Sequence, residues 1–322
     1  GQTGLHGAFL WRQVDTVVEL KKNWRAKDDA HFVQMLNRIR LGRARKFALD
    51  NDHPSDYEIL KTRLLDNVKA HSPEDFEEFK RAPVVVTRKF LRDAINESKG
   101  RTFAAETDQE FHIYYARDKI AGKAVTFEQQ RRLWMIQTSH TNDAIGKLPL
   151  IPGMPVMITE NAATSCKIVN GSKGVLKSIT YDVDESENRY PVCAFVDIPE
   201  STLEISGLRN GVIPIFPVSS TFSVPTGEKT ISVRRAQLPI LPGWAFTDFK
   251  VQGSYLPKVV VDLAGAKSLQ SIYVMLSRAS QLRNIAILRW FSAKTLHAEL
   301  QGDVREEFSR LRRVEQETRE KY

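Results

Sequence analysis

The sequence predicts a mixed α/β fold that is interrupted by a β-rich segment. Two runs of three consecutive valines, within 83–87 and 259–263, are typical of strands buried on both faces of a parallel sheet. Helical patterns flank these runs, and the succession of helix, buried strand and helix favours α/β architecture. Residues 147–237 are rich in Val, Ile, Thr, Gly and Pro, which predicts a small all-β domain inserted into the α/β domain.

Composition indicates a folded protein with a basic surface. The 322 residues are 42% hydrophobic and 27% charged, which suits one large domain or two ordinary ones. Lys and Arg number 47 against 39 Asp and Glu, so the net charge is +8. This excess favours a polyanionic partner such as nucleic acid, and a basic enzyme without such a partner is an equally open alternative.

The cysteines and the apolar runs bear on the compartment. Cys166 and Cys193 lie outside any C-x-x-C or metal-ligand spacing, so we interpret them as reduced thiols and expect no metal site. No run is long enough to span a bilayer, and the chain opens without a signal-peptide pattern. We therefore expect an intracellular protein, nuclear if the source is eukaryotic.

The first elements are predicted to be a strand at 16–20 and then three helices. Asp28 and Asp29 suit the positive end of the first helix, and Gly42 is its expected stop. The second helix follows Pro54, and the third begins at Ser72 with a proline in its first position. The apolar positions are Phe32, Met35, Leu36 and Ile39 in the first helix, and Ile59, Leu60, Leu64 and Val68 in the second.

The remaining elements follow the same two periodicities. After the strand at 83–87, a helix with Leu91, Ala94 and Ile95 facing inward is expected to end before Gly100. The β-rich segment predicts strands at 156–159, 174–181 and 192–198, a polar turn at 184–188 and a hairpin around 226–228. The chain then returns to α/β with a strand at 259–263, a helix at 269–280, a strand at 284–290 and a charged last helix whose apolar stripe is Val304, Phe308, Leu311 and Val314.

Three segments carry recognisable chemistry. They are 19–25 (ELKKNWR), 245–253 (AFTDFKVQG) and 273–279 (YVMLSRA). In this order they resemble motifs IV, V and VI of the Pif-one-like (petite integration frequency) DNA helicases of superfamily 1, whose relatives include Helitron transposon helicases and bacterial RecD. Several motifs in the correct order make a chance match improbable.

The β-rich segment adds to the resemblance. Residues 150–158 (LIPGMPVMI), Asn161 and residues 169–175 (VNGSKGV) are similar to the small SH3-like barrel, called domain 2B, that the family inserts into its second RecA-like domain. The resemblance therefore implies a RecA-like second motor domain formed by 1–146 and 238–297. The inserted barrel would occupy 147–237, and a charged C-terminal helix would occupy 298–322.

The resemblance gives two arginines a catalytic role. An arginine across the cleft from the transferred phosphoryl group neutralises its developing charge and raises the rate by about 10³ to 10⁵. The motif VI position, Arg278, is our first choice for this arginine finger, and Arg25 of motif IV is the second sensor. An isolated helical arginine is more often a solvated charge or half of a salt bridge; the motif context favours catalysis, more firmly for Arg278 than for Arg25.

Motif V is implied to couple ATP to DNA. By resemblance, Thr247 and Lys250 approach the phosphates of the single strand, while Gln252 and Gly253 lie nearer the nucleotide. An ordinary surface lysine is the alternative interpretation of Lys250. The segment departs from the family pattern at Phe249, which replaces His or Asn, and at 251 and 254–256. Phe249 either stacks on a base or belongs to the core.

Further DNA contacts are weaker predictions. In the insertion, Asn161, Asn170 and Lys173 are candidate DNA-facing residues, while neighbouring glycines serve turns. A dense basic run at 38–46 either touches a nucleic-acid backbone or is a solvated helix face.

Two elements of a complete motor are missing from the sequence. No Gly-Lys is followed by Ser or Thr, so there is no P-loop, and the Asp184–Glu185 pair lies in a polar turn rather than at a strand end. Residues 1–12 resemble the family just after its third motif, so the first RecA-like domain would lie upstream or has been lost. That domain would hold most of ATP and Mg²⁺ and would be this chain's partner, together with single-stranded DNA.

The implied function is ATP-driven DNA unwinding in the 5′ to 3′ direction, and we expect the isolated chain to hydrolyse no ATP. Two alternatives stay open. One is a transposon-derived remnant that only binds single-stranded nucleic acid, which the departures at Phe249 and Val251 permit. The other is a protein-interaction module whose C-terminal amphipathic helix docks on a partner.

Overall fold

The computed structural model describes residues 2–20, 24, 26–50, 53–227 and 229–322, and of residues 2 and 3 only the backbone. Its helices are α1 (Gln2–Arg12), α2 (Ala30–Arg40), α3 (Asp56–Lys61), α4 (Leu65–His71), α5 (Pro73–Arg81), α6 (Lys89–Glu106), α7 (Phe127–Trp134), α8 (Leu269–Leu276), α9 (Ala293–Leu296) and α10 (Gly302–Lys321). None of these described helices has both the length and the hydropathy needed to cross a membrane.

The strands are short in the α/β part and long in the β-rich part. They are β1 (Val84–Val86), β2 (Ile113–Tyr115), β3 (Arg117–Ile120), β4 (Lys123–Ala124), β5 (Lys147–Pro149), β6 (Pro155–Ile158), β7 (Lys173–Val183), β8 (Arg189–Asp197), β9 (Val212–Ile215), β10 (Val218–Thr226), β11 (Lys229–Gln237), β12 (Ile240–Pro242), β13 (Ala245–Thr247), β14 (Val259–Val261) and β15 (Ile285–Ile287).

A four-stranded parallel sheet forms the centre of the α/β part. Its order is β13-β1-β14-β15, so β1 is paired on both edges by strands from the far end of the chain. All residues of β1 and β14 are at most 6% exposed, and each buried valine contributes about 1.5–3 kcal/mol. The two predicted valine strands are confirmed.

Helix α2 follows the sequence pattern closely. The carboxylate of Asp29 caps it by accepting a hydrogen bond from the amide of Phe32 (2.9 Å). All four predicted apolar residues are at most 1% exposed. At the other end, the amides of Gly42 and Arg43 donate to the carbonyls of Ile39 (3.0 Å) and Arg38 (2.8 Å). This pair of bonds is a Schellman motif, and Gly42 takes the left-handed conformation that it requires, at φ +66°.

The predicted strand at 16–20 is wrong. The segment pairs with no strand in the described ranges. Side chains of α10 bind the backbone here: Thr318 Oγ1 accepts from the amide of Val17 (3.0 Å), and just before the segment Arg310 donates to the carbonyl of Val14 (3.1 Å). The apolar run that suggested a strand is largely exposed, with Leu20 at 89%.

Two predicted helices have different bounds. The helix expected after Pro54 is broken into α3 and α4, because the backbone of Leu64 leaves the helix to form a parallel bridge with Ile287. Helix α6 does not end before Gly100 but continues to Glu106. Gly100 lies within the helix at a close approach, since a Cβ there would lie 3.3 Å from the ring of Phe111.

The inward face of α6 also differs from the prediction. Ala94 is exposed, so its predicted inward position is wrong, whereas Leu91 and Ile95 are partly buried and pack against the core as predicted. The fully buried positions follow at intervals of four and are Arg92, Asn96, Gly100 and Ala104. Asn96 is buried because its amide group exchanges two hydrogen bonds with the backbone of Ala245 in β13 (2.8 and 3.0 Å). A polar side chain thus fastens α6 to the parallel sheet.

The later elements are shorter than predicted. Helix α8 ends at Leu276 rather than at 280, and β15 has three residues rather than seven. Helix α10 is present, and of its predicted stripe Val314 is buried, whereas the other three positions are partly buried.

The β-rich part consists of two sheets. One has the order β12-β6-β7-β8-β2-β5 with β9 also on β8, and the other has the order β10-β11-β3-β4. The predicted strands at 156–159, 174–181 and 192–198 are confirmed as β6, β7 and β8, and the predicted hairpin joins β10 to β11. Strands β2 to β4 belong to these sheets although they precede 147, where we expected the β-rich segment to begin. The division of the chain into domains stays a prediction.

The two parts meet where the candidate site lies. Strand β12 pairs with β6, with Ile240 opposite Ile158, and the chain then enters β13 of the parallel sheet. The close approach is tightest at Gly243, where a Cβ would lie 2.8 Å from the backbone of Pro155. This pairing brings the loop after β6 beside the loop after β13.

Candidate functional site

The segment after β13 folds into a compact turn anchored from inside. Thr247, at the end of the strand, is 5% exposed, and its carbonyl accepts hydrogen bonds from the amides of Lys250 (3.0 Å) and Val251 (3.3 Å). Buried Asp248 accepts a hydrogen bond from Ser271 of α8 (2.6 Å). Asp248 was not among the predicted site residues, and it ties this turn to α8.

The structure brings three predicted residues together. The ammonium group of Lys250 donates to Asn170 Oδ1 (3.1 Å), and the amide of Asn170 donates to Asn161 Oδ1 (2.9 Å). Lys250 comes from the turn after β13, and both asparagines come from the loop between β6 and β7. Lys173, at the start of β7, is exposed and follows the same loop.

Phe249 projects away from the protein. Its side chain is 82% exposed, so the alternative that it belongs to the core is wrong. In proteins that bind single-stranded nucleic acid, aromatic rings stack on bases and cations contact the backbone; stacking of Phe249 on a base stays a prediction.

A small pocket lies under Lys250. It has a volume of about 170 Å³, and its charged lining comes from Lys250, Arg92, Asp143, Glu160 and Arg235. Burial lowers the pKa of Lys250; Asp143 and Glu160 act in the opposite direction, and Arg92 and Lys89 add to the lowering. The ammonium group of Lys250 is therefore partly desolvated and lies near two other cations, Arg92 and Lys89.

Arg92 and Asp143 were missed by the sequence reasoning. Arg92 is 2% exposed and donates to Asp93 (2.7 Å), Asp143 (3.1 Å) and Thr138 (3.1 Å). Lys89 also donates to Asp143 (2.6 Å). Burial is the largest single effect on the pKa of Asp143 and raises it, but Lys89 and Arg92 together outweigh burial, so the pKa is lowered. The only sequence signal for Arg92 was its position four residues before Asn96, which places both residues on one face of α6.

Arg278 is buried and bound to backbone. Its guanidinium donates to the carbonyls of Val274 (2.7 Å), Val251 (3.1 Å) and Ser254 (3.2 Å), and to the hydroxyl of Ser277 (2.7 Å). The side chain is 6% exposed. Arg278 therefore joins the turn after β13 to the end of α8.

Gln252 and Gly253 lie in the turn that Arg278 holds. Both are exposed, and they stand between the two carbonyls, of Val251 and Ser254, that the guanidinium binds. Gly253 has φ +86° and open space around the position of a Cβ. The structure thus places these two predicted nucleotide-side residues next to Arg278.

A larger cavity opens on the other side of Arg278. Its volume is about 670 Å³, and its polar and aromatic lining comprises Glu19, Trp24, Asn37, Arg40, Tyr273, Ser277, Arg278 and Arg312. Arg40 pairs with Glu19 (3.1 Å). Arg25, the predicted second sensor, lies outside the described residues, but its neighbour Trp24 reaches this cavity. Arg312 was not predicted, because nothing in the sequence connects the last helix with this wall.

The residues of the basic run at 38–46 differ in their contacts. Arg38 forms a two-point ion pair with Asp56, which is 0% exposed, and Asp56 also accepts from the amide of Arg45 (2.7 Å). Arg38 is therefore structural. Arg43 and Lys46 are exposed, and of the run they remain candidates for a nucleic-acid contact.

Two residue sets with other chemistry are structural. Asp184 closes the turn between β7 and β8 by accepting from the amides of Ser186 and Asn188 (both 2.9 Å) and from Tyr190 (2.9 Å). Cys166 and Cys193 are free thiols, and burial raises the pKa of Cys193. Among the residues that the structure describes, no group of three or more His, Cys, Asp or Glu is placed to hold a metal ion.

Known proteins resemble this chain along most of its length. ATP-dependent DNA helicase PIF1 of Homo sapiens is 26% identical over 280 residues, which are 86% of this chain and 36% of the human protein. This chain therefore spans little more than a third of that relative. No protein-family model matches the sequence.

Solved structures show the same fold. The crystal structure of Pif1 helicase from Candida albicans aligns with a TM-score of 0.60 at 20% identity, covering 90% of this chain and 59% of that one. Pif1 helicase from Bacteroides, in complex with ADP-AlF3 and ssDNA, aligns with a TM-score of 0.58 at 19% identity, covering 93% and 57%. The mixed α/β fold described above is that of the matching part of these structures.

Proposed function

We propose, since the chain resembles the C-terminal half of the Pif1 DNA helicases, that it is one motor half of an ATP-dependent DNA helicase. In this proposal the intact protein unwinds DNA in the 5′ to 3′ direction. An N-terminal RecA-like domain is the partner that completes the motor and holds most of ATP and Mg²⁺. This chain contributes one wall of the nucleotide site and part of the path of the single strand.

The proposed domain organisation follows from strand connectivity. The parallel sheet takes β1 from one side of the β-rich part and β13 to β15 from the other. This supports an insertion within a RecA-like domain, for which we propose the bounds 1–146 and 238–297 with the insertion at 147–237, although β2 to β4 and β12 also pair within the β-rich sheets. We propose that the insertion corresponds to the SH3-like barrel of the family and that 298–322 is an added C-terminal helix.

The observation that carries the DNA proposal is the contact between Lys250 and Asn170 beside exposed Phe249. The two loops come from different parts of the fold, yet they present a cation, two amides and an aromatic ring on one surface. A lysine and an amide suit phosphate oxygens, and the ring suits a base. The Bacteroides structure of the same fold contains single-stranded DNA. Thr247 and Lys173 flank this surface.

The nucleotide proposal rests on the cavity beside Arg278. Arg40, Arg278 and Arg312 line it, and guanidinium groups are well matched to phosphate oxygens. Arg40 and Arg312 therefore suit one wall of a triphosphate site, whereas Arg278 would have to exchange some of its hydrogen bonds to backbone carbonyls for a phosphate oxygen. ATP would supply the phosphoryl group whose developing charge an arginine stabilises. We assign this role first to Arg278 and second to Arg25, with Gln252 and Gly253 near the nucleotide.

DNA binding by the 1–322 chain tests the proposal. We would measure fluorescence anisotropy of a labelled single-stranded oligonucleotide at low salt. Stacking contributes about 1–3 kcal/mol per base, so Phe249→Ala should weaken binding by about 5- to 150-fold. Lys250→Ala should also weaken binding, because it removes a phosphate contact.

Lys123→Ala is the control, because Lys123 is exposed on β4 and outside the proposed surface. It should change the affinity by less than about twofold. Circular dichroism would establish that each variant is folded. The proposal fails if the unaltered chain does not bind at low salt, or if the Phe249 and Lys250 variants bind as it does.

A further inference from the structure

A second basic groove lies between the end of α2 and the last helix. Its lining is Leu41, Gly42, Arg43, Glu299, Leu300, Arg305, Phe308, Ser309 and Arg312, and its volume is about 380 Å³. Three arginines face one carboxylate, so the groove carries an excess of positive charge. It is built by elements that take no part in the surface around Lys250.

Each wall of the groove is held in place. The Schellman motif fixes the backbone at Gly42 and Arg43, and Gly42 lies so close to Leu300 that a Cβ would approach its amide nitrogen to 2.9 Å. Leu300 is itself buried in the core. Arg43 therefore projects from a rigid turn rather than from a mobile loop.

The facing wall is one stripe of α10. Arg305, Ser309 and Arg312 recur at spacings of four and three, so they share a helix face. The helix is anchored elsewhere: Phe308 packs against the core, and Glu307 accepts a hydrogen bond from the indole of Trp11 (2.7 Å). The backbone that carries the two arginines of this stripe is thus held opposite Arg43.

The charges in the groove are only partly neutralised. Arg305 pairs with Glu299 (3.2 Å). Among the residues that the structure describes, no carboxylate lies within ion-pair distance of Arg43 or Arg312, and both side chains are exposed. Exposed guanidinium groups without carboxylate partners favour a phosphate ligand.

We propose that this groove binds the phosphodiester backbone of nucleic acid, at a second contact separate from the surface around Lys250. The inference rests on the proposed DNA function and extends it. The open shape of the groove and its row of arginines suit a linear polyanion, which is held through several phosphates at once. Arg312 also lines the cavity beside Arg278, so a free polyphosphate is the other source of the same chemistry.

The test compares two triple variants of the 1–322 chain. The first is Arg43→Ala, Arg305→Ala and Arg312→Ala. The matched control is Arg101→Ala, Arg131→Ala and Arg209→Ala, which lowers the net charge equally at exposed sites away from the groove. Affinity for a single-stranded and a duplex oligonucleotide is measured against salt concentration. Each phosphate contact on a single strand adds about 0.7 to the slope of log K against log salt.

We expect the groove variant to lose about 2 from this slope for single-stranded DNA and the control to lose less than about 1. Equal slopes for the two variants would overturn the inference while Lys250→Ala still weakens binding, so the proposed function would stand. If the unaltered chain binds no DNA at low salt, both fail. If the groove variant loses only its affinity for tripolyphosphate, measured by calorimetry, the nucleic-acid assignment is wrong.

Discussion

The ammonium group of Lys250 lies 3.1 Å from Asn170 Oδ1, although the two residues are 80 positions apart in the chain. This hydrogen bond connects the turn after the parallel sheet with a loop of the β-rich part. In the proposed function the amide oxygen occupies a place that a DNA phosphate oxygen would take. Binding of DNA would then exchange one partner of Lys250 for another.

The titration of Lys250 gives the first prediction. Burial lowers its pKa below the ordinary 10.5, and the charged form exists only below that lowered pKa. We therefore expect its contribution to DNA affinity to be lost, as the pH rises, earlier than that of an exposed lysine. Arginine stays charged at such pH, so the DNA affinity of the Lys250→Arg variant should stay constant between about pH 7.5 and pH 10. Anisotropy across this range is the measurement.

The same pKa shift affects stability with a definite sign. Between the lowered pKa and 10.5, the unfolded chain binds more protons at this position than the folded chain does. The contribution of Lys250 to the free energy of unfolding therefore rises with pH in this window. A pH-independent difference between the unaltered chain and Lys250→Met would contradict the expected environment of Lys250.

A second prediction concerns Arg278 as a structural tie. Its guanidinium donates to two carbonyls of the turn after β13 and to Val274 and Ser277 at the end of α8, and lysine cannot reproduce a planar fork of donors. Leaving buried acceptors unsatisfied costs about 1–3 kcal/mol each. We expect Arg278→Lys to lower the free energy of unfolding by about 2–4 kcal/mol. Urea denaturation measures it.

Arg131→Lys is the comparison, since Arg131 is exposed on α7 and should tolerate the change within about 0.5 kcal/mol. If Arg278→Lys proves as harmless as this control, the guanidinium does not hold the turn. A loss of activity in Arg278 variants would then have to be assigned to chemistry alone.

ATP hydrolysis provides the third prediction. The 1–322 chain should hydrolyse no ATP, because one wall of the nucleotide site cannot position a triphosphate and Mg²⁺. In a protein that also contains the N-terminal motor domain, single-stranded DNA should stimulate hydrolysis, and Arg278→Ala should reduce it by about 10³-fold or more. Phosphate release is followed with and without DNA. Turnover by the isolated chain would refute the proposed division of labour.

The fourth prediction isolates a backbone clash at Gly42. Alanine there meets the left-handed conformation, at about 1–2 kcal/mol, and also a Cβ contact of 2.9 Å with the amide nitrogen of Leu300, at about 1–3 kcal/mol more. Gly207→Ala is the control, because Gly207 also has positive φ but open space around its Cβ position. Chemical denaturation should show the larger loss for Gly42→Ala. Equal losses would mean that the close packing on Leu300 contributes nothing.

The sequence predicted those parts of the fold that local patterns determine. The valines of β1 and β14 and the apolar spacing of α2 report burial directly, and the structure confirms them. Predictions from the sequence failed where contacts outside the local segment determine the conformation. Leu64 leaves its helix because Ile287 offers a strand partner, and Gly100 lies within a helix, where the missing side chain lets the ring of Phe111 pack closely. Neither partner is visible within a local window of sequence.

The candidate site shows the same limit. Lys250, Asn170 and Asn161 were each predicted by resemblance, but their meeting depends on the pairing of β12 with β6. Arg92 and Arg312 could not be predicted, because a buried or cavity-lining arginine looks like any surface arginine in the sequence. Their roles follow only from the packing of α6 and α10.

Strand β1 has a consequence for how this chain folds. Both of its neighbours, β13 and β14, are synthesised only after the whole β-rich part. During synthesis β1 therefore has two unpaired edges until β13 and β14 have been made. Unpaired strand edges pair readily with wrong segments or with other chains. Early folding of the β-rich part would shorten the loop that has to close, because β12 ends beside β6 and delivers β13 to its place. We therefore expect the β-rich sheets to fold before the parallel sheet is complete.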